Sequence, residues 1–190
     1  MNKIKLEVSG LIDKFEKHNE IKDKLINLIN NSGSHLENKD IETWEYHISK
    51  CDWNNNEDFE NREWVNFLKP YMQKQFDKFA NKMLYQKANI KRLWYQQYKR
   101  NDAHGWHIHG ATYTGVYYLQ LPNGSSKTEL INHYEQDKNI QIATLEANEG
   151  DIVIFPSFLI HRAPKIINDV TKTIISFNLE GFFLGGFISS

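Results

Sequence analysis

The sequence has little with which to staple itself, cross a membrane or steer a charged partner. Cys51 is its only cysteine, so no disulfide can form within the chain, and a reducing, cytoplasmic setting suits it. The longest apolar runs, Ile152–Phe155 and Gly181–Ile188, fall well short of the roughly 20 residues that span a bilayer. Met1–Val8 mixes lysines with isolated apolar residues and does not read as a secretory leader. A net charge of −1 over 190 residues gives no overall pull toward nucleic acid or an anionic membrane. With 4 prolines and 10 glycines there is no linker-like tract, and no internal repeat is visible. The expectation is a soluble cytoplasmic protein that engages neither membrane nor nucleic acid.

What is present suits one domain with a sizeable core: 190 residues, 40% hydrophobic and 13% aromatic. Residues 1–88 read as a mainly helical support and 89–190 as a β-fold. Ile4–Val8 alternates as a short strand. From Asn19, a candidate N-cap, Ile21, Leu25, Leu28 and Ile29 recur at helical spacing until Gly33. Trp44, Tyr46 and Ile48 alternate ahead of a polar loop over Asp52–Asp58. Val65, Leu68, Met72, Phe76, Phe79 and Met83 form the apolar stripe of a helix from about Arg62 to Leu84. Pro70 within it predicts a kink or the start of a second helix. Strands are expected around Trp94–Tyr98, Val116–Leu121, Thr128–His133, Gln141–Glu146, Asp151–Phe155, Lys172–Leu179 and Phe182–Ile188. Many short strands parted by turn signals imply a sandwich or jelly roll.

Three of the eight histidines fall in His104-Gly105-Trp106-His107-Ile108-His109-Gly110. In an extended segment His107 and His109 share a face, because side chains alternate with period two, and two imidazoles on one face make half of a metal site. The other half is sought in Gly150–Arg162, where a turn, an apolar strand and a proline bend lead to His161. A jelly roll lays opposite ends of the sequence on neighbouring strands, which brings His161 within reach of the pair. Lys172 opens an otherwise apolar strand, a costly placement unless an anion meets it.

In this order, His-x-His, Gly-Val-Tyr-Tyr-Leu, Gly-Asp-Ile-Val-x-Phe-Pro-x(4)-His, and a basic residue before Ser-Phe-Asn, the chain from Trp94 to Leu179 resembles the iron(II)/2-oxoglutarate-dependent oxygenases. It is most similar to the 2OG-Fe(II) oxygenases of phage and bacterial type related to prolyl 4-hydroxylases. The resemblance implies an α+β, mainly β fold: a double-stranded β-helix, a cupin-like jelly roll, flanked by amino-terminal helices. It implies a dioxygenase that uses Fe(II), 2-oxoglutarate and O2 to hydroxylate a substrate, releasing succinate and CO2. His107 and His161 match the iron-binding histidines. His109 stands where most of the superfamily has a carboxylate, so the implied metal set is His107, His109 and His161. Lys172 matches the residue that pairs with the distal carboxylate of 2-oxoglutarate. Tyr118 and Tyr98 match tyrosines that contact the cosubstrate. Ile174 stands where many members carry a hydroxyl.

Two other readings stay open on the residues alone. One is a non-catalytic cupin-like module that binds metal or ligand, and the other a three-histidine oxygenase that needs no 2-oxoglutarate. His104 reads as a loop or neighbouring residue beside the ligands, and His18, His35, His47 and His133 show no site-like spacing. The basic, aromatic stretch Lys87, Lys91, Arg92, Trp94, Tyr95, Lys99 and Arg100 reads as a solvated strand face before a nucleic-acid surface.

Overall fold

In the computed structural model, residues 8–32, 46–53, 61–132 and 141–182 are described. Their order is β1 (Leu11–Lys14), α1 (His18–Asn31), β2 (Tyr46–His47), β3 (Lys50–Cys51), α2 (Glu63–Lys82), β4 (Lys87–Tyr98), β5 (Ala103–His107), β6 (Tyr113–Gln120), β7 (Glu129–Asn132), β8 (Gln141–Thr144), β9 (Asp151–Pro156), β10 (His161–Ala163) and β11 (Lys172–Phe182). Two antiparallel sheets result, one ordered β1-β9-β6-β11-β4-β3 and the other β2-β5-β10-β7-β8. The strands at 4–8 and 182–188 fall largely outside the described residues, as do Trp44, His35, His133 and most of the loop over 52–58. No helix among the described residues is long and apolar enough to cross a membrane.

Alternation along the strands of the larger sheet divides its side chains between two cores. Leu93 and Tyr95 of β4, Tyr117 and Leu119 of β6, Ile152 and Ile154 of β9 and Ile175 and Phe177 of β11 face the helices. Trp94 and Tyr98, Val116 and Tyr118, Val153 and Phe155, and Ile174 face the space between the sheets. Both faces are therefore covered, which is why Ile152–Phe155 of β9 form an uninterrupted apolar run. Trp94 and Tyr95 are buried on opposite faces, so the basic stretch presents neither ring for stacking.

Helix α2 supplies the outer layer through Trp64, Val65, Leu68, Met72, Phe76, Phe79 and Ala80. A fully buried phenylalanine such as Phe76 contributes about 2–3 kcal/mol. The helix runs through Pro70 without a second helix starting there; the ring leaves the Asn66 carbonyl without its helical donor. Helix α1 begins one residue before the expected cap. Lys17 is the N-cap, its carbonyl accepts from the Glu20 and Ile21 amides, and Asn19 lies inside the first turn. Tertiary contact sets this start: Phe15 N–H donates to Gly150 O at 2.9 Å, ending β1 on the edge of β9. The His18 ring then meets the Tyr117 hydroxyl at 2.7 Å.

The amino-terminal part contributes strands as well as helices: β1 pairs with β9, β2 with β5 and β3 with β4. Asp52, just after β3, locks that corner. Its carboxylate accepts from Arg62 at 2.7 Å, from the Trp64 indole at 3.0 Å and from Tyr95 N–H at 2.9 Å. Trp53, the next residue, is thereby carried to the open end of the barrel.

Candidate metal centre

His107 and His161 are cross-strand partners, the last residue of β5 opposite the first of β10. Their rings lie 4.2 Å apart between centroids. Each Nδ1 stands 2.8 Å from the backbone carbonyl two residues earlier, Gly105 O for His107 and Leu159 O for His161. A carbonyl only accepts, so each Nδ1 carries the proton and each Nε2 keeps its lone pair for a metal.

His109 reaches the same place from outside the strand. β5 stops at His107, and the His109 N–H donates to Ser157 O at 3.0 Å, tying the residue to the turn after β9. Its ring runs nearly parallel to His161, at 5.1 Å and 11°, and to the Trp94 indole, at 5.7 Å and 27°. One ligand nitrogen from each of His107, His109 and His161 lies within 4.8 Å of the others. Three nitrogens bound at about 2.1 Å on one face of an ion stand about 3.0–3.4 Å apart, so closing on it brings the nitrogens together by up to about 1.5 Å through side-chain rotation.

The electrostatics favour neutral imidazole. Burial, reinforced by the neighbouring imidazoles, pushes His161 down to about 3 and His109 to about 4. For His109 the Asn178 side chain alongside opposes the fall. Burial also lowers His107, against the Gly105 carbonyl. Three lone pairs are therefore available at neutral pH without a proton to displace.

Sequence periodicity places His104 and His107 on opposite faces, and the structure does not. The register slips between His161↔His107 and Ala163↔His104, and this bulge turns the His104 ring onto His107 at 3.9 Å and 16°. His104 thus packs against a candidate ligand. Behind it, Gln96 Nε2 lies 3.5 Å from His104 Nδ1, and Ser176 Oγ donates to Gln96 Oε1 at 2.9 Å. Gln96 and Ser176 escape a sequence reading, since a polar residue inside a buried strand has no periodic signature of its own.

A narrow interior cavity runs from the three histidines past Gln96 and Ser176 to Tyr98, Thr128 and Ile174. Lys172 lies beside its far end, pairing with Tyr98 across β11 and β4. The lysine is fully buried. Its Nζ donates to Ser126 O at 3.0 Å and sits 4.7 Å from the Tyr98 ring centre. Among the described residues no carboxylate pairs with it, and burial pushes it down to about 7. Tyr98 lines the cavity. The Tyr118 hydroxyl is engaged instead with Thr128, donating to Oγ1 at 2.8 Å and accepting from the amide at 3.3 Å. Thr128, which sequence analysis passes over, takes the lining position. Sharing Trp94, Gln96, His104, His107 and His109 with this cavity, an open cleft of about 250 Å³ extends to Trp53, Ile108 and Asn178.

Comparison with known proteins agrees with this architecture. The family described as "Putative 2OG-Fe(II) oxygenase" matches residues 92–178. No curated protein sequence matches the chain. Among solved structures, the viral collagen prolyl hydroxylase of Paramecium Bursaria Chlorella virus-1, a 2OG complex, superimposes with a TM-score of 0.61 at 17% identity, covering 90% of this chain and 94% of that one. A Pseudomonas putida prolyl-4-hydroxylase gives 0.62 at 10% identity, covering 90% and 92%. A Trichoplax adhaerens prolyl hydroxylase, in complex with a hypoxia inducible factor peptide fragment, gives 0.62 at 14% identity, covering 90% and 83%. At these identities the likeness shows the fold, a double-stranded β-helix. Residues 92–178, somewhat under half of the chain, are thus similar to the 2OG-Fe(II) oxygenases of that family model.

Proposed function

We propose that the chain is a hydroxylase in which His107, His109 and His161 hold iron(II) and Lys172 anchors 2-oxoglutarate. One observation carries this reading. Three neutral imidazoles and a fully buried lysine, without a carboxylate partner among the described residues, share the interior of one barrel. A buried ammonium facing only a carbonyl and a ring is costly alone and becomes favourable when an anion joins it. When bound, iron(II) would activate O2, the oxidant, with 2-oxoglutarate giving up two electrons and leaving as succinate and CO2 while the substrate C–H bond gives up the other two.

The chain's own residues bind, orient and shield. The Gly105 and Leu159 carbonyls keep His107 and His161 in the metal-binding tautomer. Lys172, a point charge, draws the distal carboxylate to the closed end of the cavity, where Tyr98 and Thr128 complete the lining. Tyr118 serves indirectly, by holding Thr128. The walls of Ile174 and Val116 keep water from the reacting centre. Hydroxylation is favoured among the oxidations because the neighbours described above are prolyl hydroxylases.

The test is succinate formation from 2-oxoglutarate with iron and O2, paired with anaerobic 2-oxoglutarate binding to Mn(II)-loaded protein. Turnover is expected, with binding weakened at least about tenfold in Lys172→Ala, the effect of losing one charge-assisted contact. Metal binding without any 2-oxoglutarate binding would leave the cupin-like module standing. Oxygen consumption without succinate would favour the oxygenase that needs no cosubstrate.

A further inference from the structure

One line of rings leads from the metal centre to the surface. The His109 imidazole lies nearly parallel to the Trp94 indole, 5.7 Å away at 27°. Trp94 is 3% exposed and meets Trp53 edge-on at 4.3 Å and 71°. Trp53 is half-buried, and its ring also stands 6.3 Å from His109. The line therefore starts on a candidate ligand, passes through a ring closed to solvent and ends on one that water reaches. Indole gives up an electron more readily than imidazole or phenyl, and rings in van der Waals contact pass electrons quickly. The rings beside the other ligands are poorer donors: Phe155 meets His161 at 4.9 Å and His104 stacks on His107. Trp106, although next to His107 in the chain, makes no ring contact with a ligand among the described residues; Arg162 covers it at 4.4 Å.

Burial accounts for Trp94, whose indole fills the space between the sheets. It does not account for an outer ring left half-open with a guanidinium on its face. Arg92 sits 4.0 Å over Trp53 and donates to the Trp53 carbonyl, which fixes the ring edge-on to Trp94. A cation there opposes a lasting positive charge on the ring, so an electron leaves Trp53 together with a proton, which water takes. The reaction proposed above reduces O2 with two electrons from 2-oxoglutarate and two from a substrate C–H bond. When no substrate is bound, the second pair is missing and a neighbouring side chain must supply it.

Resting on that reading, we infer that Trp94 and Trp53 carry this pair to the metal centre, and that Trp53 is the site of oxidative modification when O2 is consumed without substrate. The Trp53 indole gives up two electrons and two protons, takes its new oxygen from water and ends as a hydroxytryptophan. The centre receives the two electrons with two protons from solvent, and the O2 oxygen not built into succinate leaves as water. Trp94 relays the electrons and ends unchanged. Damage is thereby moved from the ligand imidazoles to a ring at the surface.

The test loads the full chain anaerobically with Fe(II) and 2-oxoglutarate, admits O2 without substrate in heavy-oxygen water, and locates added oxygen by peptide mass spectrometry. Trp53 is expected to gain one oxygen, drawn from water, at least about fivefold more often per succinate formed than Trp106. Trp94→Phe, which keeps a ring but not an easily oxidised one, should cut that yield at least about fivefold per succinate. Trp94→Tyr, which restores an oxidisable ring, should recover most of it. Electron paramagnetic resonance of bound Mn(II) identifies a variant that has lost the site; should neither variant bind Mn(II), the origin of the oxygen on Trp53 in the parent decides. A parent chain that forms no succinate overturns the proposed function and this inference with it. Succinate formed with Trp53 unmodified, with its oxygen drawn from O2, or with its yield undiminished in Trp94→Phe overturns this inference alone.

Discussion

Replacing Lys172 by methionine removes a charge from the barrel interior while keeping most of the side-chain volume. In the folded protein, burial holds the ammonium at about 7 against an ordinary 10.5. At about 1.4 kcal/mol per pH unit, that fall corresponds to about 5 kcal/mol of destabilisation when the lysine is protonated in both states. The sign follows from linkage. Because the folded pKa is depressed, the unfolded chain binds more protons between pH 7 and 10.5, and stability rises with pH across that window. The penalty is full below pH 7, about 2 kcal/mol at pH 9 and nearly gone at pH 10.5. Methionine cannot donate to Ser126 O, which returns about 1 kcal/mol of cost. Without cosubstrate, Lys172→Met should therefore exceed the parent by about 4 kcal/mol at pH 6 and about 1 kcal/mol at pH 9. At roughly 2–4 °C per kcal/mol for a chain of this size, the gain in melting temperature at pH 6 is about 8–16 °C. Thermal denaturation at the two pH values reads this directly. 2-Oxoglutarate should raise the parent's melting temperature and leave the variant's unchanged. A variant that is less stable than the parent at pH 6, or whose advantage does not shrink toward pH 9, would refute the claim that Lys172 is an uncompensated buried charge.

Further outcomes follow from the buried histidines and from the packing around two glycines. With His161 held at about 3 and His109 at about 4, Co(II) affinity of the folded protein should stay flat from pH 8 to about 5.5, measured by the cobalt absorption bands. A steep decline beginning at 6.5 would show ordinary imidazoles. Fold stability should behave differently: the unfolded histidines take up protons below 6.5 and the folded ones do not, so denaturant midpoints should fall as pH drops through 6.5. Gly115→Ala should cost about 3 kcal/mol or more, because a Cβ there would stand 2.0 Å from Val153 O and 2.5 Å from the Phe177 ring. Gly110→Ala, with nothing within 4 Å of a Cβ, should stay within about 0.5 kcal/mol in the same chemical denaturation series.

The sequence by itself carried the candidate ligands and the layers that hold them. His107, His109 and His161 stand out by spacing and by the proline bend ahead of the last. Lys172 stands out because a cation opening an apolar strand has no local justification. The stripe of α2 predicts a helix supporting the β-fold, and the structure lays it on the larger sheet; that this sheet is buried on both faces emerges only from the structure. These signals are local: a side chain's period and its cost of burial can be read within a dozen residues. Only the tertiary structure decided the rest. The bulge that stacks His104 on His107 is a property of how β5 and β10 pair, not of either strand. The transfer of the cavity-lining position from Tyr118 to Thr128 depends on a hydrogen bond between β6 and the loop before β7. Trp53 reaches the outer cleft because β3, residues Lys50–Cys51, joins the edge of β4 and Asp52 locks the corner. β1 escapes notice because a short edge strand exposed at Ile12, Asp13 and Lys14 has no face to alternate. In each case the deciding contact spans residues far apart in the chain, and long-range pairing leaves no periodic trace in the segments it joins.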